Sequence, residues 1–219
     1  MEAVERARVV SRAVRFEQWL AFPDGRLRKP RFAWLLAGGY VLFAATYIPI
    51  NLFSVGRPSQ TLFLPGEEQL PFLPIFVYPY VLTHLVGGLV IVTVRDYGRF
   101  LRVARAAGLA LLTAYTTYLL FPVWLERPHL DVTSPHTWLL SIVYLDKSYN
   151  HFPSLHVALS WLAVHAAQVT SPTRFWLSLL TVWISVSTVF VKQHYIVDVV
   201  AGYAVAWVAW NLAMSVKRT

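Results

Sequence analysis

The chain has 219 residues, of which 57% are hydrophobic and only 14% are charged. A soluble domain needs more polar surface than this composition provides, so the sequence indicates an integral membrane protein. The formal net charge of +8 does not indicate nucleic acid as a partner, because the basic residues flank apolar runs instead of forming one patch.

The N-terminal segment, residues 1–31, mixes arginines with apolar residues such as Val10, Phe16 and Trp19. This mixture predicts a cytoplasmic amphipathic helix lying in the membrane interface. No small-residue cleavage site precedes the first long apolar run, so the N-terminus is expected to be retained. The chain contains no cysteine, which excludes a disulfide framework, a thiolate metal site and a cysteine nucleophile.

Six apolar runs follow, and each is long enough to cross a bilayer with some tilt. They cover residues 32–54, 71–94, 103–125, 154–170, 174–191 and 195–214. The predicted fold class is therefore all-α: one bundle of six transmembrane helices over residues 32–214, preceded by the interfacial helix. Residues 215–219 are expected to form a cytoplasmic tail.

The distribution of basic residues predicts the orientation of these spans. With the N-terminus in the cytoplasm, every lysine and arginine falls in an inner segment except Arg57, Arg127, Lys147 and Lys192. The positive-inside rule favours this orientation, which places both termini in the cytoplasm. The long segment 126–153 then lies outside, facing the periplasm or the exterior, and the short loops fit a bacterial inner membrane.

Three short strings on the predicted outer side carry residues suited to catalysis. They are Glu126-Arg127-Pro128, Phe152-Pro153-Ser154-Leu155-His156 and Lys192-Gln193-His194-Tyr195-Ile196-Val197-Asp198. Four positions separate His194 from Asp198, so on one helix face the carboxylate could accept a proton from one imidazole nitrogen. The other nitrogen would be free to attack phosphorus.

The remaining residues of these strings fit the same chemistry. His156 is predicted to protonate the departing oxygen and later to activate water. Ser154 is predicted to be the N-cap of the fourth span, where backbone N–H groups could face an anion. Arg127 could bind a phosphate group through two hydrogen bonds.

These motifs resemble the type-2 phosphatidic acid phosphatase superfamily of lipid phosphatases and phosphotransferases. The resemblance rests on Arg127-Pro128, Pro153-Ser-Leu-His156 and His194-x-x-x-Asp198 in a setting of six helices. It implies a phosphohistidine intermediate on His194 supported by Asp198, His156 as the general acid and Arg127 as a phosphate ligand. It implies no metal and no other cofactor.

Two cations of the family pattern are replaced in this chain. Leu120 occupies the position of the family lysine, and Thr188 that of the arginine. In motif style the chain is more similar to the branch that contains inositol phosphorylceramide synthases. Lys192, Lys147 and Asn150 are the polar residues near a motif that could replace the missing cations at the phosphate.

Three functions stay open at this point. The first is hydrolysis of a lipid phosphate or diphosphate, such as phosphatidic acid, phosphatidylglycerol phosphate or a polyprenyl diphosphate. The second is transfer of a phosphate-containing headgroup to an acceptor lipid alcohol, and the third is lipid binding or transport without catalysis. A zinc site, drawing on His129, His136 and His151 beside the three motif residues, is a further alternative because zinc needs several convergent ligands.

Overall fold

The computed structural model describes residues 2–215, and it describes residues 2–4 and 6–8 by their helical backbone alone. Helices account for 70% of the chain, and no strand is present in this range beyond isolated bridges. The helices are α1 (Glu2–Leu20), α2 (Lys29–Phe53), α3 (Val77–Thr93), α4 (Tyr97–Leu120), α5 (Pro135–Val143), α6 (Leu155–Ala166), α7 (Ser171–Phe190) and α8 (Ile196–Ser215). The prediction of an all-α protein is confirmed.

Five helical segments are long and apolar enough to cross a membrane: α2, Pro74–Thr93, α4, α7 and α8. They match five of the six predicted spans within a few residues, so the chain is an integral membrane protein. The predicted span 154–170 corresponds to α6, which has 12 residues. A helix of that length is about 18 Å long, whereas the apolar core of a bilayer is about 30 Å thick. Six complete crossings therefore stay a prediction.

The short helix α6 lies at the centre of the bundle. It packs against α3, α4, α7 and α8. Most of its side chains are buried: Leu155, Val157, Ala158, Ser160, Leu162, Ala163, Val164 and Ala166. Because its neighbours surround it, α6 is stabilised by packing inside the protein and has little contact with lipid.

The helix α4 begins and ends about five residues earlier than the predicted run 103–125. It begins early because Asp96 caps it, with a carboxylate oxygen accepting the Arg99 N–H at 2.7 Å. It ends at Leu120 because Pro122 disfavours helical geometry at Phe121, the C-cap residue. The apolar residues 121–125 belong to the following loop.

The predicted interfacial segment 1–31 is not a single helix. The helix α1 ends at Leu20, and a turn follows in which Gly25 has φ 81°. Leu20 and Leu27 on either side of this turn are buried with Phe32 in the core. Whether α1 lies in the membrane interface stays a prediction, and most of the predicted tail 215–219 lies outside the described residues.

The helices α6 and α8 are in close contact at Gly202. A Cβ atom at this position would lie 2.5 Å from the Ser154 carbonyl oxygen and 3.1 Å from the Val157 Cβ. Backbone at such a distance cannot move aside without shifting a helix. The absence of a side chain at Gly202 thus sets the separation of the two helix starts.

The change of Gly202 to alanine is expected to destabilise the fold by about 1–3 kcal/mol, because the methyl group overpacks this contact. Thermal unfolding in detergent measures the effect. The matched control is Gly108→Ala in α4, where a Cβ would meet no described atom within 4 Å. Equal melting temperatures for the two variants would contradict the expectation.

Candidate active site

The three sequence strings meet at one end of the bundle, where α6 and α8 begin side by side. The Ser154 N–H donates to the Asp198 carbonyl oxygen at 3.1 Å. Arg127, from the long loop, donates to the Gln193 side chain at 3.0 Å. Residues more than 60 positions apart in the chain are thus brought into one cluster.

His194 and Asp198 form a buried pair within this cluster. The Nδ1 atom of His194 lies 3.4 Å from Asp198 Oδ2, and the two side chains are 4% and 0% exposed. This separation is long for a hydrogen bond, and Nδ1 has no closer partner among residues 2–215. The carboxylate therefore faces Nδ1, which leaves Nε2 as the nitrogen available to a substrate.

The backbone around this pair differs from the predicted single helix. His194 precedes α8 by two residues, in a turn where the Thr188 carbonyl accepts the N–H groups of Gln193 and His194. Asp198 lies in the first turn of α8, and its Oδ2 also accepts the Tyr195 N–H at 2.8 Å. The carboxylate thereby holds the helix start as well as facing the imidazole.

His156, the second residue of α6, lies next to His194. The centroids of the two rings are 5.7 Å apart, at 62°. The Nε2 atom of His156 is hydrogen-bonded to the Tyr80 hydroxyl at 2.7 Å, and below this bond Thr83 and Ser160 share a hydrogen bond of the same length. Tyr80 is 4% exposed. Tyr80 was not predicted as a site residue, because it lies 76 positions away in an apolar run.

A third histidine, His151, also lies next to His194. The two ring centroids are 5.6 Å apart and nearly perpendicular, and His151 is 2% exposed. Burial, followed by the proximity of His194 and Arg127, lowers the pKa of His151 well below its usual range. His151 is therefore a neutral imidazole in the wall of the site at neutral pH.

Arg127 is held by several partners at the edge of the site. It donates to the Asp146 carboxylate and to the Asp146 carbonyl, each at 2.8 Å, and its guanidinium lies 4.7 Å from the centroid of the Tyr144 ring. Its Nε atom is buried and has no partner among the described residues. The guanidinium is thus fixed in place and keeps one donor unused.

The other predicted phosphate ligands occupy different environments. Ser154 is the N-cap of α6, as predicted, and its fully buried hydroxyl accepts the Val157 N–H at 3.3 Å. Lys192 donates its amino group to the Leu70 carbonyl at 2.9 Å. Lys147 is exposed, whereas Asn150 is 3% exposed. Of the three residues predicted to replace the missing cations, Asn150 is the buried one.

Neutral side chains occupy the two positions where the family pattern has a lysine and an arginine. Leu120 is 78% exposed at the end of α4. Thr188 is fully buried in α7, and its hydroxyl donates to the Ser185 carbonyl at 2.7 Å. Neither position supplies a donor to the cluster around His194.

The residues of the zinc alternative do not all come together. Within residues 2–215, no group of three or more histidine, aspartate or glutamate side chains is arranged to hold a metal ion. His129 lies on the exposed part of the long loop, where its Nε2 is 3.3 Å from Asp131. His151 belongs to the cluster, whereas His129 does not. The spacing of the histidines in the sequence did not show this difference.

A buried pair of histidines with a carboxylate, at one end of a membrane-embedded helical bundle, defines a class of site suited to phosphate chemistry. A family model described as the PAP2 superfamily matches residues 50–212. The chain belongs to this superfamily, so the predicted resemblance is confirmed at that level. The match does not test the inositol phosphorylceramide synthase-like branch, which stays a prediction. Neither the curated proteins nor the solved structures give a significant match.

Proposed function

We propose that this protein is an integral membrane enzyme that hydrolyses a lipid phosphate or diphosphate through a phosphohistidine on His194. Membership of a superfamily of phosphatases and phosphotransferases supports an enzyme of this kind. The observation that carries the proposal is the buried arrangement of His194 between the Asp198 carboxylate, at 3.4 Å, and the His156 ring, at 5.7 Å. This arrangement supplies a nucleophile, its orienting group and an acid.

In the first step, Nε2 of His194 attacks phosphorus and forms a P–N bond while the P–O bond to the lipid breaks. The departing lipid oxygen takes a proton from His156, so the lipid leaves as a neutral alcohol or as a lipid phosphate. Asp198, beside Nδ1, stabilises the positive charge that develops on the His194 ring. Arg127 binds phosphate oxygens with the donor that its present contacts leave unused.

In the second step, a water molecule gives a proton to His156 and its oxygen attacks phosphorus. The P–N bond breaks, and its electron pair returns to Nε2 of His194. Inorganic phosphate is released, and His156 again holds the proton needed for the next cycle. The same residue thus acts first as acid and then as base.

Transfer to a lipid alcohol is the second candidate function. In this reaction, the hydroxyl group of an acceptor takes the place of water in the second step. The neutral side chains at Leu120 and Thr188 favour this candidate, because a phosphodiester donor carries less charge than a phosphate monoester and needs fewer cations.

In the proposed orientation, the site lies on the non-cytoplasmic face of the membrane. The N-terminal and C-terminal ends of the chain lie on the cytoplasmic side. The end of the bundle opposite the site is rich in arginine. Arg99 and Arg174 bind the carbonyl groups at the C-terminal end of α6, at distances between 2.6 and 3.1 Å. Basic residues on that side support a cytoplasmic assignment for it.

The proposal is tested by incubating the purified protein in detergent with EDTA and a panel of lipid phosphates and diphosphates. Each substrate is assayed with and without diacylglycerol or ceramide as an acceptor. We expect inorganic phosphate to be released without an acceptor and without a divalent metal ion. The phosphate and the lipid products are measured in the same samples.

The same assay separates the alternatives. Headgroup transfer that depends on the acceptor, without free phosphate in its absence, would replace hydrolysis with the second candidate function. A protein that binds these lipids but converts none of them would be a lipid-binding or transport protein, and the proposed function would be wrong.

A further inference from the structure

The buried polar atoms that lack partners are concentrated at this site. Among residues 2–215, they include donor nitrogens of Arg127, Asn150 and Gln193, and two atoms of the His194–Asp198 pair. A buried donor without a partner costs free energy, and natural folds retain few of them. The three donor nitrogens, of Arg127, Asn150 and Gln193, would be satisfied by a ligand rich in acceptor oxygens.

Gln193 is positioned by its own contacts. It is 3% exposed and directly precedes His194. Its Oε1 accepts from Arg127 at 3.0 Å, which assigns Nε2 as the free end of the amide. The backbone of Gln193 is fixed in turn by the Thr188 carbonyl at 2.9 Å.

Asn150 is likewise held in a defined conformation. It is 3% exposed, and its φ of 60° lies in the left-handed region that asparagine tolerates better than most residues. Its Oδ1 lies 3.5 Å from the Ser54 hydroxyl, and its Nδ2 has no partner among the described residues. The next residue, His151, contacts the His194 ring, so Asn150 is one residue away from the histidine cluster along the chain.

We propose that the side-chain amides of Asn150 and Gln193, together with Arg127, bind the phosphate group and select a singly charged one. The inference rests on the proposed function, since it concerns the substrate of the same site. The two amides would bind the phosphate in place of the family lysine and arginine, whose positions hold Leu120 and Thr188. A phosphodiester, or a monoester that retains one proton, has the required charge.

The charges around the site support this selectivity. Arg127 is already paired with the Asp146 carboxylate at 2.8 Å, so it neutralises only part of the charge of an added anion. Lys192 is bound to the Leu70 carbonyl. The Arg57 guanidinium lies 4.8 Å from the centroid of the Phe53 ring and keeps its buried Nη1 without a partner among the described residues. Amides donate two hydrogen bonds each without adding charge. Among the three proposed ligands only Arg127 is charged, so they would compensate a doubly charged phosphate poorly.

Two probes that cannot be cleaved test the proposal by calorimetry in detergent. Hexadecylphosphonate is a dianion at about pH 9, above the second ionisation of such groups. Hexadecyl(methyl)phosphinate has the same chain and a single charge. We expect the wild-type protein to bind the phosphinate at least as tightly as the phosphonate. A clear preference for the dianion would overturn the proposal.

Isosteric variants test the two amides separately. The changes Asn150→Asp and Gln193→Glu each replace donor N–H groups by an acceptor and are expected to weaken phosphinate binding by about 10- to 100-fold. The matched control is Gln60→Glu, an exposed amide in the loop between α2 and α3. Unchanged binding by both site variants would overturn the proposal.

If the carboxylate of Asn150→Asp or Gln193→Glu prevents folding, a variant that adds a positive charge tests the proposal instead. Gln193→Lys is expected to shift the preference toward the doubly charged phosphonate by about 10-fold or more, because it adds a cation beside His194. An unchanged preference would count against the proposal. Because neither probe is turned over, a failure of catalysis in the lipid assay leaves these binding results intact, and the two proposals can fail independently.

Discussion

Replacing His194 with alanine is expected to lower the rate of phosphate release by about 10⁴-fold or more, since the variant has no atom that can form the P–N bond. Asp198 cannot take its place, because its carboxylate is fully buried and accepts the Tyr195 N–H. The measurement is the initial rate of phosphate release from a lipid phosphate, for equal amounts of purified wild-type and variant protein in detergent with EDTA.

The control for this variant is His129→Ala. The His129 side chain is 90% exposed on the long loop, away from the buried cluster, so its loss should leave the rate unchanged. Trapping of labelled phosphate on the protein by an alkaline quench, in which the P–N bond of a phosphohistidine is stable, should also disappear in the His194 variant. A His194→Ala protein with wild-type turnover would show that a different residue carries the phosphoryl group.

The change of His156 to alanine is expected to lower the rate by about 10²- to 10⁴-fold for a lipid alcohol as leaving group, because that oxygen must be protonated as it departs. A p-nitrophenyl leaving group needs no proton. With a p-nitrophenyl phosphate ester, the variant should therefore release a burst of p-nitrophenol at a nearly normal rate and then stall. Rapid-mixing absorbance measurements separate the burst from steady turnover.

His165→Ala is the matched control for the second prediction. His165 lies on the same helix, at the end opposite the site, where its ring stacks with Trp210 at 5.9 Å. If the His156 variant loses the burst and the steady rate equally, then His156 does not act as the acid for the leaving group.

Hydropathy predicted the spans well because a helix in lipid must be apolar over about 20 residues. It failed where other interactions decide the boundary. Asp96 and Pro122 moved α4 toward the N-terminus. The helix α5 lies inside the predicted loop 126–153, although its capping box, formed by Ser134 and Thr137, was a local signature that could have revealed it.

The sequence predicted the residues of the candidate site better than their surroundings. His156, His194 and Asp198 form recognisable short motifs, and the structure brings them together. Tyr80 could not be predicted, because nothing in the sequence of α3 indicates a contact with a residue 76 positions later. Gln193 was visible within a motif, but only its contact with Arg127 shows that its amide is oriented and incompletely bonded.

The short central helix has a consequence for how the protein responds to its bilayer. A change in membrane thickness acts on helices that face lipid, which tilt or shift to restore hydrophobic matching. The helix α6 is enclosed by four neighbours, and at its far end Arg99 and Arg174 satisfy the terminal carbonyl groups that lipid could not. The spacing between His156 and His194 is set where α6 meets α8 at Gly202. Hydrophobic mismatch should thus be absorbed by the outer helices, which leaves the geometry of the two histidines the same in thin and thick membranes.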